Sequence, residues 1–207
     1  MSVMSRAVDT IYGSRIITTR ILAGIVFFLL IFSDHYWTDE GFADTAFEAI
    51  GLFLVVVSAF GRLWASMYIA GYKQGRLITD GPYSIVRNPL YVFSFIGAVG
   101  IGFSSERFVV LAILVLAFLL YYPRVVRGEE DYLLGKHGQD FARYEEQTPR
   151  FIPRLALFHE PDTYVVNARA FRKSFVDTAF IILVFALLEV IERLHDAGIL
   201  PVLFKTP

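Results

Sequence analysis

Two polar segments of the chain hold most of the residues whose types could do chemistry. The first, Leu77 to Tyr91, contains the turn Asp80-Gly81-Pro82, then Tyr83, Arg87, Asn88, Pro89 and Tyr91. Arg87 offers a planar, multiply donating guanidinium that suits a carboxylate or phosphate. A helix opening at Asn88-Pro89 would add unpaired backbone N–H groups, which also favour anions. The second segment, Arg127 to Pro153, carries Glu129, Glu130 and Asp131, then Gly138, Phe141, Tyr144 and the run Pro149-Arg150-Phe151-Ile152-Pro153. Its carboxylates and aromatic faces suit an amine or another cation. Each segment also has a plainer account, as turn and cap chemistry in the first and a solvated acidic helix face in the second. Brought together, the two sets would make a pocket for a zwitterionic ligand.

The elements that must position them are membrane spans. In 207 residues, 56% are hydrophobic and the mean hydropathy is +0.54. That is too apolar for a soluble domain of this size, which needs a more polar surface. A helix crossing about 30 Å of hydrocarbon needs roughly 20 mainly apolar residues. Spans are expected at Ile16 to Phe32, Ala46 to Ala70, Phe108 to Val126 and Ser174 to Ile191, with a shorter one at Leu90 to Phe103. Only Ser104 to Arg107 separate the short span from the next, so the two should form an antiparallel hairpin. The expected architecture is an all-α integral membrane protein, a single domain over residues 1–207 with about five transmembrane helices and a cytoplasmic ligand-binding segment between the fourth and fifth.

Charge tests that topology, because cytoplasmic loops carry the excess of Lys and Arg. With the N-terminus inside and the C-terminus on the opposite side, 16 of the 19 basic residues fall on the cytoplasmic face, leaving Arg107, Arg193 and Lys205 outside. Omitting the short span would send one of the two large basic segments to the wrong face. With it, Arg87, Asn88 and Tyr91 emerge beside Arg127, Glu129 and Glu130 at the same end of the hairpin. The first span is not followed by a small-residue cleavage pattern and reads as a retained anchor.

Other chemistries lack support in the sequence. A net charge of −1 argues against nucleic acid as a partner. Cysteine is absent, and His35, His137, His159 and His195 are too scattered to suggest a metal site by local ligand spacing. Glu48, Arg62 and Asp177 lie in or at the ends of spans, where ionisable groups are costly and often functional; snorkelling to the interface explains them almost as well, and no site is assigned there.

From Gly81-Pro82-Tyr83, through Arg87-Asn88-Pro89-Leu90-Tyr91 and Glu129-Glu130 with Leu133, to Gly138, Tyr144 and Pro149-Arg150-Phe151-Ile152-Pro153, the chain resembles the isoprenylcysteine carboxyl methyltransferases and the related phospholipid methyltransferases. The likeness covers residues 77–154 and rests on the order of the pieces around a helical hairpin. It implies an S-adenosylmethionine-dependent methyltransferase (EC 2.1.1) acting at the cytoplasmic face on a membrane lipid or hydrophobic small molecule, by carboxyl methylation of a prenylcysteine-like group or N-methylation of a phospholipid. The membrane would be a bacterial or archaeal inner membrane or the endoplasmic reticulum. The residues implied in cofactor binding are Gly81, Tyr83, Arg87, Asn88, Pro89, Tyr91, Glu129, Glu130 and Tyr144. Arg87, Glu130 and Arg150 are implied in catalysis, with Glu130 or Tyr144 as base for an amine acceptor and Arg150 holding an acidic substrate group.

Two features depart from the family. Asn88 stands where a His is usual, which keeps hydrogen bonding but removes a titratable imidazole. The chain also continues beyond Pro153 into another span; Phe158 to Phe171 are expected along the interface, and the last helix at the substrate entrance or in a homodimer contact. An NADPH-dependent reductase resembling the sterol reductases is disfavoured by length, and a non-enzymatic scaffold or transport component would leave both motif segments as loop chemistry.

Overall fold

The computed structural model describes residues 21, 24–35, 41–70 and 75–206. Arg6, Arg15, Arg20, Lys73 and much of the first expected span lie outside these; of that span, residues 24–32 are helical. The longer helices are α1 (Phe42–Ile69), α3 (Pro89–Ser104), α4 (Phe108–His137) and α6 (Ala168–Asp196), with two shorter ones, α2 (Pro82–Ile85) and α5 (Gln139–Gln147). Three of them, α1, α4 and α6, are long and apolar enough to cross a membrane, and α3 is a shorter apolar helix. The protein is an all-α membrane protein apart from one small feature, a parallel pair between β1 (Ser33–His35) and β2 (Phe204–Thr206).

Helix α1 packs most extensively on α3. Small residues make that approach possible: a Cβ on Gly51 would stand 2.7 Å from the Gly100 carbonyl oxygen, and one on Gly100 would stand 2.8 Å from that of Gly51. Such contacts let helix backbones approach where lipid supplies no hydrophobic drive for association. The outward faces are apolar, with Phe53 and Phe60 on α1, Leu119 and Leu120 on α4, and Phe180 and Leu183 on α6 all exposed. These side chains face lipid rather than water.

At the expected hairpin, Leu90 to Phe103 is helical within α3, and α4 begins at Phe108. Helix α4 runs well past Val126, however, to His137. Neither Gly128 nor Gly135 stops it, and the 11 residues beyond the apolar stretch carry the helix about 16 Å further. All three acids of the Glu129-Glu130-Asp131 run therefore sit on a helix.

The two ends of the bundle differ. At one, buried Arg107 donates from Nε (3.2 Å) and Nη2 (2.9 Å) to the Ser33 carbonyl, and the Leu203 N–H donates to Phe32 O at 2.9 Å. At the other end, α2, α5 and residues 149–167 gather over the cytoplasmic ends expected for α1, α3 and α4. The tail beyond Pro153 is part of this layer: Gly81 N–H donates to His159 O (2.9 Å), Asn167 N–H to Ala70 O (3.2 Å), and Tyr164 stacks on Tyr68 at 4.6 Å between centroids. The last helix, α6, packs along α1.

Candidate functional site

Local turn chemistry prepares the site. Gly81 has φ 59°, a left-handed conformation, and a Cβ there would run into the Tyr68 ring. The chain thus turns sharply into the single turn α2, whose residues are all buried. Asn88 then occupies the N-cap of α3 with Pro89 following, as the sequence suggests. Its side chain does not cap the helix. The amide is diverted outward, donating from Nδ2 to Glu130 Oε1 at 3.0 Å.

Glu130 is the centre of the arrangement. Its side chain is 5% exposed, and Oε1 also accepts from Arg87 Nε at 3.0 Å. Oε2 lies 2.6 Å from Arg150 Nη2, a close ion contact without hydrogen-bond alignment. A carboxylate this deeply buried is tolerable only because two guanidiniums and an amide surround it. Arg87 is equally buried and has most of its donors engaged: Nη1 bonds the carbonyls of Glu145 (2.7 Å) and Thr148 (2.9 Å), and Nη2 bonds Glu145 Oε1 (3.1 Å). The backbone ties the same pieces, with Arg87 N–H donating to Pro149 O (2.8 Å) and Arg154 N–H to Ile85 O (2.9 Å). Arg150 is the more open cation, 32% exposed.

Beside this cluster Tyr91 donates its hydroxyl to Glu129 Oε1 at 2.8 Å. Tyr91 also starts an aromatic file down the hairpin, at 5.3 Å from Tyr122, which stacks on Phe118 at 4.0 Å. From α5, Tyr144 donates its hydroxyl to Tyr83 O at 2.7 Å. Burial, first of all, pushes the Tyr144 phenol well above its ordinary range. A phenol that is committed as a donor and strongly protonated is a poor base, so Tyr144 is better placed to hold α5 against α2 than to take a proton.

The structure therefore brings Arg87, Asn88, Tyr91, Glu129, Glu130 and Arg150 to one place, with Gly81, Tyr83, Pro89 and Tyr144 forming its wall. Sequence reasoning missed Glu145 and Thr148, which hold Arg87. Glu145 has only one available signal, its place next to Tyr144 on the buried side of the strongly amphipathic α5. Gly138, with φ 55°, caps α4 and opens α5, turning that helix back toward the site. Next to it lies an open cleft of about 430 Å³ bordered by Gly75, Arg76, Thr79, Asp140 and Arg143. Among the described residues, no group of three or more His, Cys, Asp or Glu could hold a metal ion.

A family model described as phospholipid methyltransferase matches residues 41–140. NccN of Alcaligenes xylosoxydans xylosoxydans, a nickel-cobalt-cadmium resistance protein, is 37% identical over 188 residues, covering 91% of this chain and 87% of its own. The cobalt-zinc-cadmium resistance protein CzcN of Cupriavidus metallidurans is 35% identical over 198 residues, 95% of this chain and 91% of that one. Protein-S-isoprenylcysteine O-methyltransferase of Schizosaccharomyces pombe is 33% identical over 83 residues, 40% of this chain and 35% of its own. The chain belongs to the isoprenylcysteine and phospholipid methyltransferase-like family of membrane proteins. No solved structure matches it. The match to the phospholipid methyltransferase model runs from the start of α1 through α4 and so includes Arg87, Asn88, Glu129 and Glu130, whereas Glu145, Thr148 and Arg150 lie beyond it. In this methyltransferase-like protein the two parts meet through Glu130, which faces Arg150, and through Arg87, which bonds Glu145 and Thr148.

Proposed function

We propose that this protein is an S-adenosylmethionine-dependent methyltransferase that acts on a lipid or hydrophobic acceptor at the cytoplasmic membrane face. The observation that carries the reading is the buried Glu130 carboxylate, held by Arg87, Asn88 and Arg150 next to the Tyr91–Glu129 pair. The bias of Lys and Arg supports the cytoplasmic side for this end, with the C-terminus opposite.

The residues present fit the cofactor's chemistry. It supplies, when bound, a methyl group on a positively charged sulfur. Glu129 and Glu130 offer negative charge to its amine, Arg150 offers a partly open guanidinium to its carboxylate, and Tyr91 presents an aromatic face suited to the sulfonium. Arg87 serves as a positioning residue, because most of its donors are taken by Glu130, Glu145 and two carbonyls. In-line displacement asks the protein mainly for alignment and exclusion of water. A carboxylate acceptor needs no base near neutral pH, whereas an amine must first lose its proton, a task for the Glu130 or Glu129 carboxylate.

The names of the two long relatives favour a physiological role in metal tolerance, exercised through methylation of a membrane component. The decisive test is methyl transfer from labelled S-adenosylmethionine by the purified protein into total lipid extract and prenylcysteine analogues, with mass spectrometry of the product. Label recovered in a lipid or prenylcysteine supports the reading; no binding of S-adenosylmethionine or S-adenosylhomocysteine would overturn it. A strain lacking the protein, complemented by wild type or by a Glu130→Gln variant, should tolerate zinc, cobalt and cadmium only with the former.

A further inference from the structure

Arg62 lies within the apolar stretch of α1, seven residues before its end, so its Cα sits about 10 Å below the helix terminus. An arginine at that depth could snorkel along its own helix to the headgroups. This one instead reaches sideways to α3, where Nη1 donates to Ser94 Oγ and, at 3.5 Å, to Leu90 O. Ser94 in turn donates to Leu90 O at 2.7 Å, which fixes the hydroxyl as an acceptor for the guanidinium. The cation is thus held at the edge of the hydrocarbon, half-buried, on a serine one helical turn along α3 from Tyr91, which in turn bonds Glu129.

A second feature stands beside it. Leu90 packs on the cluster of Ala65, Tyr68 and Tyr83. Tyr83 is 8% exposed, and its hydroxyl is buried without a hydrogen-bond partner. An orphaned buried hydroxyl is costly and uncommon. It is near enough to both charges to feel them: burial first, then the Glu129 carboxylate, push its phenol upward, and Arg62 opposes them. The hydroxyl is therefore a neutral donor awaiting an acceptor.

We propose that Arg62 and the Tyr83 hydroxyl form the anion subsite that holds the headgroup of the acceptor. The subsite rests on the methyltransferase reading only for its use; the binding it describes is separable. Depth assigns it to the acceptor and not the cofactor. A polar cofactor remains at the aqueous end with Glu130 and Arg150, whereas a group at the hydrocarbon edge meets the head of a molecule whose tail lies in the bilayer. Arg150, the other cation suited to an acidic substrate group, is bridged to Glu130 at that aqueous end.

The test titrates the full-length protein in nanodiscs with dodecanoate, dodecyl phosphate and dodecanol, and separately with S-adenosylhomocysteine and inorganic phosphate. Wild type should bind the two anionic amphiphiles more tightly than dodecanol, with inorganic phosphate competing poorly. Arg62→Met should weaken the anionic probes by about 10- to 100-fold, the scale of a lost charge-assisted hydrogen bond. Dodecanol and S-adenosylhomocysteine should bind it as they bind wild type, and Arg62→Lys should recover part of the loss. Tyr83→Phe removes an unpartnered hydroxyl, so it keeps the fold testable and should weaken the anionic probes several-fold. An undiminished preference for anionic probes in Arg62→Met overturns the subsite, as does the absence of any preference in wild type. Loss of S-adenosylhomocysteine binding in Arg62→Met would move Arg62 to the cofactor, and inorganic phosphate competing on equal terms would remove the amphiphile from the proposal. If wild type binds no S-adenosylhomocysteine, the methyltransferase reading falls while the amphiphile titrations still report on Arg62.

Discussion

Replacing Glu130 by Gln tests the centre of the site with almost no change in shape. In the native network Oε1 serves Arg87 Nε and Asn88 Nδ2, both at 3.0 Å, and Oε2 faces Arg150 at 2.6 Å. The amide can keep one oxygen toward Arg87 and Asn88, and its NH₂ then confronts Arg150. Removing one partner of a buried ion pair costs about 3–5 kcal/mol when the remaining charge is stranded. Here the penalty is smaller. Arg87 retains Glu145 Oε1 at 3.1 Å and two carbonyls, and Arg150, a third exposed, keeps a 3.7 Å contact with Glu145 and can turn to water. A loss of about 2–3 kcal/mol remains, equivalent to roughly 30- to 150-fold in affinity. Isothermal titration with S-adenosylhomocysteine should show that loss, and methyl transfer should fall at least as far. Glu145→Gln is the control: its carboxylate is 40% exposed and screened, so its loss should stay within about fivefold. The reasoning is refuted if Glu130→Gln binds and turns over within threefold of wild type, or if both variants lose affinity equally.

Three further outcomes follow from the same contacts. Asn88→Ala deletes a donor to a buried carboxylate and should lower cofactor affinity by about tenfold, whereas Asn88→His, which can donate from the same cap position, should retain activity and introduce a pH dependence below neutrality that the wild type lacks; pH–rate profiles decide. Gly100→Val thrusts a branched side chain into the α1 backbone and should lower stability in detergent by about 1–3 kcal/mol, read as a shortened thermal half-life. Glu106, in the connection between α3 and α4, has its carboxyl pushed up to about 7 by burial, then by Asp44 and Glu48, with Arg107 opposing. The folded protein thus binds this proton more tightly than the unfolded chain, so stability should fall as pH rises from about 4.5 to 7. Glu106→Gln should flatten that part of the thermal-stability profile; an unchanged slope would show that another group sets it.

The site was legible in the sequence as far as its determinants are local or set by the bilayer. The short span at Leu90 to Phe103 follows from the need to keep the two large basic segments on one face, and the helix α3 covers those residues. Asn88 and Pro89 were readable as a helix start, but not the diversion of the Asn88 amide to Glu130, because propensity describes a chain without tertiary partners. The span expected at Phe108 to Val126 lies inside α4, whose further extent to His137 hydropathy does not report, since it marks where lipid ends and not where hydrogen bonding does. Glu145 and Thr148 were invisible because their role depends on Gly138 folding α5 back, a matter of direction that composition does not carry. The β1–β2 pair was missed for a similar reason: three-residue strands leave no periodic trace.

That pair also bears on the order of assembly. Ser33 meets Phe204 across nearly the whole length of the chain, while the contacts of Glu130, Arg87 and Arg150 close within residues 87–150. During synthesis the methyltransferase-like end can be complete before α6 has left the ribosome, and the clasp at the opposite end, a long loop closure, must come last.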